Sequence, residues 1–261
     1  MRSQSFRFRL RFRFIRLIAH RSRLKAYNSF TPELLLNKTM SIAHQIQQLR
    51  SSLPEGVNLL AISKYQPIEA LQEAYDAGQR MFGENHIQEM SAKAAVLPKD
   101  IEWHFTGHVQ TNKIKYMASF VSLIHAVDSF RLLREIDKHA AKHERVIDCL
   151  LQIHIAQEDT KYGFTLDECR TMLATEPWRE LRHVRITGLM AMGSNTDDME
   201  QVRGEFRQMK QFFDELKSTH FADSSSFLQL SEGMTDDYPI AIEEGSTIVR
   251  IGSMIFGSRG Y

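Results

Sequence analysis

Cysteine is scarce in this chain: 261 residues hold only Cys149 and Cys169. They form neither a CxxC nor a cluster, which excludes a disulfide framework and leaves zinc-ligand spacing unsupported. A reducing compartment, and hence a cytoplasmic location, fits that usage. No apolar run is long enough to suggest a membrane span, and no secretory-type apolar stretch follows the N-terminus. Neither a GxGxxG nor a Walker A loop occurs, so nucleotide binding has no support. Beyond an alternation of short elements there is no internal sequence repeat.

Charge is nearly balanced at +1 overall, but unevenly placed. Residues 1–39 carry eight Arg, two Lys and a single acid, Glu33. The remainder has 23 basic against 31 acidic residues, a net of −8, which argues against a nucleic-acid footprint. Within the basic segment, FRFRLRFRF (6–14) alternates apolar residues with arginine. It reads as a targeting segment, a surface-binding tail or an extension without a selected role, and we favour the last. The expectation is a disordered or poorly packed 1–39 and one domain over 40–261. Met40 precedes SIAHQIQQLR, an amphipathic helix start with Ser41 as a plausible N-cap. The NKT at 37–39 matches a glycosylation acceptor, which without a secretory signal reads as chance.

With 43% hydrophobic residues, the chain can bury one large core. β-Rich runs at 57–63, 80–83, 101–106, 123–127, 147–155, 184–191, 227–230 and 247–251 alternate with helical patterns. Those patterns lie near 41–52, 67–78, 86–96, 110–118, 130–143, 165–174, 197–218 and 236–244. This order predicts an α/β fold with a parallel sheet, and eight strands favour a closed (β/α)8 TIM barrel over an open doubly wound sheet.

A barrel of this kind places its active site at the C-terminal ends of the strands. Polar residues gather there: Lys64 after the first strand, Glu84 and Asn85 after the second, His108 after the third, and Asp128 and Ser129 after the fourth. Ser231 and Gly233 follow the seventh, and Arg250, Gly252 and Ser253 lie at the eighth. Lys64 ends the apolar run VNLLAIS (57–63). It reads either as a rim lysine or as a Schiff-base lysine, since burial disfavours an ammonium and a neutral amine attacks carbonyls. LSEGMTDD and RIGSMIFG suit an anion, because glycine admits backbone N–H groups and serine adds a hydroxyl. The plainer reading of those glycines is tight turns. Arg250 is a phosphate ligand, a partner for a ring nitrogen, or a structural partner of Glu243 or Glu244. His104, His108 and His125 read as hydrogen-bonded residues rather than a metal site, and GLMAMG (188–193) as the apolar wall of strand six.

The strings ISKYQP, AGQRMFGENHIQE, WHFTGHVQTNK, HAVDS, EDTKYGF, GLMAMG, LSEGMTDDYPIAIEEGST and VRIGSMIFGSRGY run in order through residues 41–261. In them the chain resembles the pyridoxal 5′-phosphate homeostasis proteins, single-domain relatives of the alanine racemase barrel. The resemblance implies pyridoxal 5′-phosphate (PLP) held as a Schiff base on Lys64, with Asn85 beside it. It implies the phosphate on Ser231 and the Gly252–Ser253 turn, and Arg250 near the pyridine nitrogen. An arginine there cannot accept a proton and keeps the ring a weak electron sink. The implied role is intracellular vitamin B6 homeostasis and amino-acid balance without a defined reaction. PLP-dependent apo-enzymes are the expected recipients, with no nucleic-acid or membrane partner and a monomer rather than a dimer. An amino-acid racemase of the alanine type is the alternative, and an aldolase-type barrel a third reading. Glu232 departs from the pattern by replacing a common methionine, and strand alternation turns its side chain away from that of Ser231.

Overall fold

The computed structural model describes residues 41–156 and 162–257. The expectations for residues 1–39, part of EDTKYGF and the C-terminal RGY fall outside these residues. Eight parallel strands close into a barrel in chain order, with the last pairing the first. They are β1 (Asn58–Ile62), β2 (Met81–Glu84), β3 (Glu102–Phe105), β4 (Leu123–Val127), β5 (Ile147–Gln152), β6 (Val184–Met190), β7 (Gln229–Ser231) and β8 (Ile248–Ile251). The helices are α1 (Ile42–Ser52), α2 (Ile68–Asp76), α3 (Ile87–Val96), α4 (Phe130–Ala141), α5 (Leu166–Thr175), α6 (Met199–Thr219), α7 (Tyr238–Glu243) and α8 (Ser253–Phe256). The closed barrel settles the choice against an open sheet.

Period-two patterning divides the apolar residues into two layers. Leu60, Leu123, Ala126, Leu150, Met190 and Ile248 come only from strands and pack together inside the barrel. Their neighbours in the chain, such as Leu59, Ala61, Ile124, Leu151, Leu189 and Val249, join the helices in the larger outer core. Helix α4 shows how the helices dock: Leu132, Leu133, Ile136 and Ala140 form one buried stripe. The Ser129 side chain caps this helix by accepting the Leu132 N–H, so Ser129 serves structure and not the mouth of the barrel. Helix α5 carries the reciprocal cap of Thr165 and Glu168.

The segment expected as a helix at 110–118 is a 3-10 turn, Thr111–Tyr116. It inserts only Ile114 into the core, too little apolar surface to fix a full α-helix. A second short turn, Trp178–Glu180, had no counterpart in the sequence pattern. The seventh strand begins two residues later than its apolar run, because Gln229 is the first residue to pair with β6, opposite Gly188.

Candidate functional site

At the C-terminal mouth, one cavity of about 410 Å³ is lined by Lys64, Asn85, Arg250, Gly252 and Ser253. Ile62, Gln66, Thr106, Met190, Met192, Thr235 and Asp236 complete most of the wall. The volume falls in the roughly 300–1,000 Å³ range usual for small-molecule sites. Met190 and Met192, at and just beyond the end of β6, give the apolar side of this wall. Asn85 accepts the Thr106 hydroxyl through Oδ1 at 2.9 Å. The Ser253 and Thr235 hydroxyls meet at 3.1 Å, so the loops after β7 and β8 bring two hydroxyls together. Beside them α8 begins at Ser253, and its first N–H groups have no acceptor within the helix.

Lys64 is held between two anchored neighbours. Ser63 Oγ donates to Glu84 Oε1 at 2.6 Å, and Lys93 Nζ donates to the Ser63 carbonyl at 2.8 Å. The Tyr65 N–H donates to Glu89 Oε1 at 2.6 Å. Lys93 also bonds Glu84 and Glu89, at 2.8 and 2.7 Å. Tyr65 sits at φ +64°, a conformation that costs a non-glycine residue about 1–2 kcal/mol. The clamp on both sides of Lys64 offsets that cost. Glu84 therefore lies behind the site, buried, and does not line it. Burial raises its carboxyl, while Lys93 and Ser63 oppose the shift.

Arg250 reaches the cavity from inside the barrel. Its Nη1 donates to the Ser231 carbonyl at 2.7 Å and to Ser231 Oγ at 2.9 Å, and its Nη2 to the Ala191 carbonyl at 2.8 Å. Of five guanidinium N–H groups, two have no protein acceptor among the described residues. Burial lowers its pKa to about 10, which leaves it charged at neutral pH. The structural pairing with Glu243 or Glu244 does not occur: both carboxylates bind Arg203, and Glu244 also binds Arg207.

Two expected ligands are placed otherwise. Ser231 belongs to β7 and points into the barrel interior, bonded to Arg250 and to His125 Nδ1 at 3.0 Å. It does not line the cavity, and Thr235, four residues on, supplies the loop-seven hydroxyl. Gly233 also lies off the cavity wall. It sits at φ +85°, and an added Cβ would come within 2.7 Å of Ala241 Cβ and 2.8 Å of Tyr238 Cα. Its carbonyl accepts the Arg250 N–H at 2.9 Å. The tight-turn reading therefore describes Gly233. Gly233→Ala is expected to cost about 3 kcal/mol, from left-handed strain plus overpacking, measured by urea unfolding.

The remaining mouth histidine, His108, turns to Asp128 at 3.4 Å and stacks on Tyr162. His104 and His125 bond each other at 3.0 Å in the interior. Burial lowers His104 to about 4 and His125 well below its usual value, the latter reinforced by His104 and Arg250. Both are neutral. Among the described residues no group of three or more His, Cys, Asp or Glu is arranged to hold a metal.

Glu232 is fully buried, and neither carboxyl oxygen has a hydrogen-bond partner among the described residues. Burial holds its carboxyl well above the usual range; Arg250 opposes the shift, while Asp237 and Glu244 add to it. A pKa raised by folding gives a contribution that is present below the unfolded value and lost as pH rises. Glu232→Met is expected to stabilise the fold by about 2 kcal/mol at neutral pH, by removing an unsatisfied polar group. The difference from wild type should widen as pH rises above roughly 4.3. Urea unfolding of both proteins at pH 5, 7 and 9 measures it, and equal stability at all three would refute the assignment.

Comparison with known proteins gives a consistent picture. The family described as "Alanine racemase, N-terminal domain" matches residues 38–260. The pyridoxal phosphate homeostasis protein of Aquifex aeolicus (strain VF5) is 38% identical over 224 residues, 84% of this chain and 96% of that protein. The protein of the same name from Escherichia coli (strain K12) is 36% identical over 234 residues, 84% of this chain and 97% of that protein. Among solved structures, PipY of Synechococcus elongatus PCC7942 with PLP bound has a TM-score of 0.75 at 35% identity, covering 83% of this chain and all of that one.

Proposed function

The chain belongs to the pyridoxal phosphate homeostasis proteins, within the family of the alanine racemase N-terminal domain, and from that premise we propose that it binds PLP at Lys64 and acts in PLP homeostasis. The observation that carries this reading is the single cavity shared by Lys64, Arg250 and the Thr235–Ser253 hydroxyl pair. When bound, PLP supplies an aldehyde that condenses reversibly with amines, and a ring that withdraws electrons.

The residues fit that group. Lys64 offers the amine for a Schiff base. Arg250 has two N–H donors without protein acceptors, which suit a ring nitrogen, and no capacity to give up its charge there. The Thr235 and Ser253 hydroxyls and the backbone N–H groups at the Gly252–Ser253 corner suit a phosphate by hydrogen bonding. Met190 and Met192 suit the apolar ring faces. Gly252 suits the close approach where β8 enters this corner, since a Cβ there would stand a tight 3.1 Å from the Ile62 carbonyl oxygen. Asn85, tied to Thr106, borders the space beside Lys64. The domain for this role is residues 40–261, and the recipients in keeping with it are apo-enzymes that use PLP. No helix among the described residues is long and apolar enough to cross a membrane; a monomeric, cytoplasmic carrier is the form proposed.

The test is direct. The full chain is mixed with PLP, reduced with borohydride and digested, and the adduct mass is located by mass spectrometry. One pyridoxyl phosphate group on the Lys64 peptide is the expected result. A protein that takes up no PLP, or carries it on another lysine alone, would end the proposal.

A further inference from the structure

Arg250 is held by a hydrogen-bond chain that crosses the barrel interior and has a defined direction. Starting from the cavity, Arg250 Nη1 donates to Ser231 Oγ at 2.9 Å. Ser231 Oγ meets His125 Nδ1 at 3.0 Å, and His125 Nε2 meets His104 Nδ1 at 3.0 Å. Ser231 and both histidines are buried. The four residues stand on β8, β7, β4 and β3, so the chain spans the barrel.

Proton counting fixes the order. A guanidinium can only donate, so Ser231 Oγ accepts from Arg250. If His125 Nδ1 carried the proton, Oγ would receive two donors and its own O–H would lack an acceptor in a dry interior. That outcome is disfavoured, since buried polar groups are paired. The hydroxyl therefore donates to an unprotonated His125 Nδ1. His125 then carries its proton on Nε2 and donates to His104 Nδ1, which leaves the His104 proton on Nε2. The low basicity of both imidazoles agrees with single protonation.

We propose that this His104–His125–Ser231 chain is a positioning device for Arg250: it sets the rotation of the guanidinium and therefore which N–H groups face the cavity. The proposal rests on the reading of the cavity as a PLP site. It concerns positioning residues, none of which lines the cavity wall. Without the chain, Arg250 keeps its bonds to the Ser231 and Ala191 carbonyls, so the charge stays while its orientation loosens.

Two measurements test it. The first uses the full-length wild-type chain without added PLP, with imidazole nitrogens labelled for long-range proton–nitrogen NMR at pH 7. His104 and His125 should both be neutral with the proton on Nε2. A proton on His125 Nδ1, or a doubly protonated His125, overturns the proposal. The second is PLP titration by absorbance across pH for wild type, Ser231→Ala and Ser231→Thr. Ser231→Ala should bind about tenfold more weakly, the loss of roughly one hydrogen bond, and its bound-state absorbance should change its pH profile. Ser231→Thr keeps the hydroxyl and should follow wild type. Identical spectra and affinity in Ser231→Ala, or a threonine variant that behaves as the alanine one, overturns the proposal. A wild type that binds no PLP overturns the reading of the cavity instead, and the NMR measurement still decides the chain.

Discussion

Lys64→Ala is expected to lose covalent PLP completely while keeping the fold. Lys64 is only half-buried and follows the end of β1, so its removal opens no cavity in either apolar layer. Arg250, Thr235 and Ser253 remain in place to hold the ligand non-covalently. Affinity should therefore fall on the order of 100-fold, about 2.7 kcal/mol, rather than vanish. Borohydride should fix nothing, since no imine carbon is present to reduce. Thermal unfolding of the protein without PLP should stay within about 1 kcal/mol of wild type, since the substitution leaves the apolar core intact. Equilibrium dialysis with PLP, paired with intact mass after reduction, measures both parts. Retention of a reducible adduct would move the attachment to another lysine and remove the central role given to position 64.

The barrel could be read from local pattern, and so could part of the cavity wall: Lys64, Asn85, Gly252 and Ser253 stand within two positions of the ends of β1, β2 and β8, and Arg250 lies within β8. The roles assigned to them came from the family resemblance. What failed depended on register. Ser231 was expected just past the strand, but it pairs with both Met190 and Ile248, and strand alternation turns its side chain into the barrel while that of Leu230 joins the outer core. The loop-seven hydroxyl that lines the cavity, Thr235, resembled an ordinary turn residue. Gln66, Thr106 and Asp236 were invisible for the same reason: a polar residue in a loop has no periodicity, and only the closed sheet brings these loops together. The histidines illustrate the limit most clearly. HFTGH puts His104 and His108 only four residues apart, yet His104 turns inward from β3 to His125 and His108 lies beyond the strand with Asp128.

The buried lysine behind the site leads to the second large effect. Lys93→Met is expected to cost about 3–5 kcal/mol, because it strands the Glu84 carboxylate without its cation. Glu84 is inaccessible, and its Oε2 already lacks a partner among the described residues. Replacing both charges, as in Lys93→Met with Glu84→Leu, should recover most of that stability, since an apolar pair of similar volume often matches a buried ion pair. Cofactor affinity should respond differently. Lys93 holds the Ser63 carbonyl and positions Glu89, which anchors the Tyr65 N–H. Neither contact returns in the double variant. Tyr65 then relaxes from its left-handed conformation and Lys64 loses its fixed direction. The double variant should unfold near the wild-type urea midpoint yet bind PLP roughly tenfold more weakly. If affinity recovered together with stability, Lys93 would be a folding residue only, and the clamp on Lys64 would have no functional part.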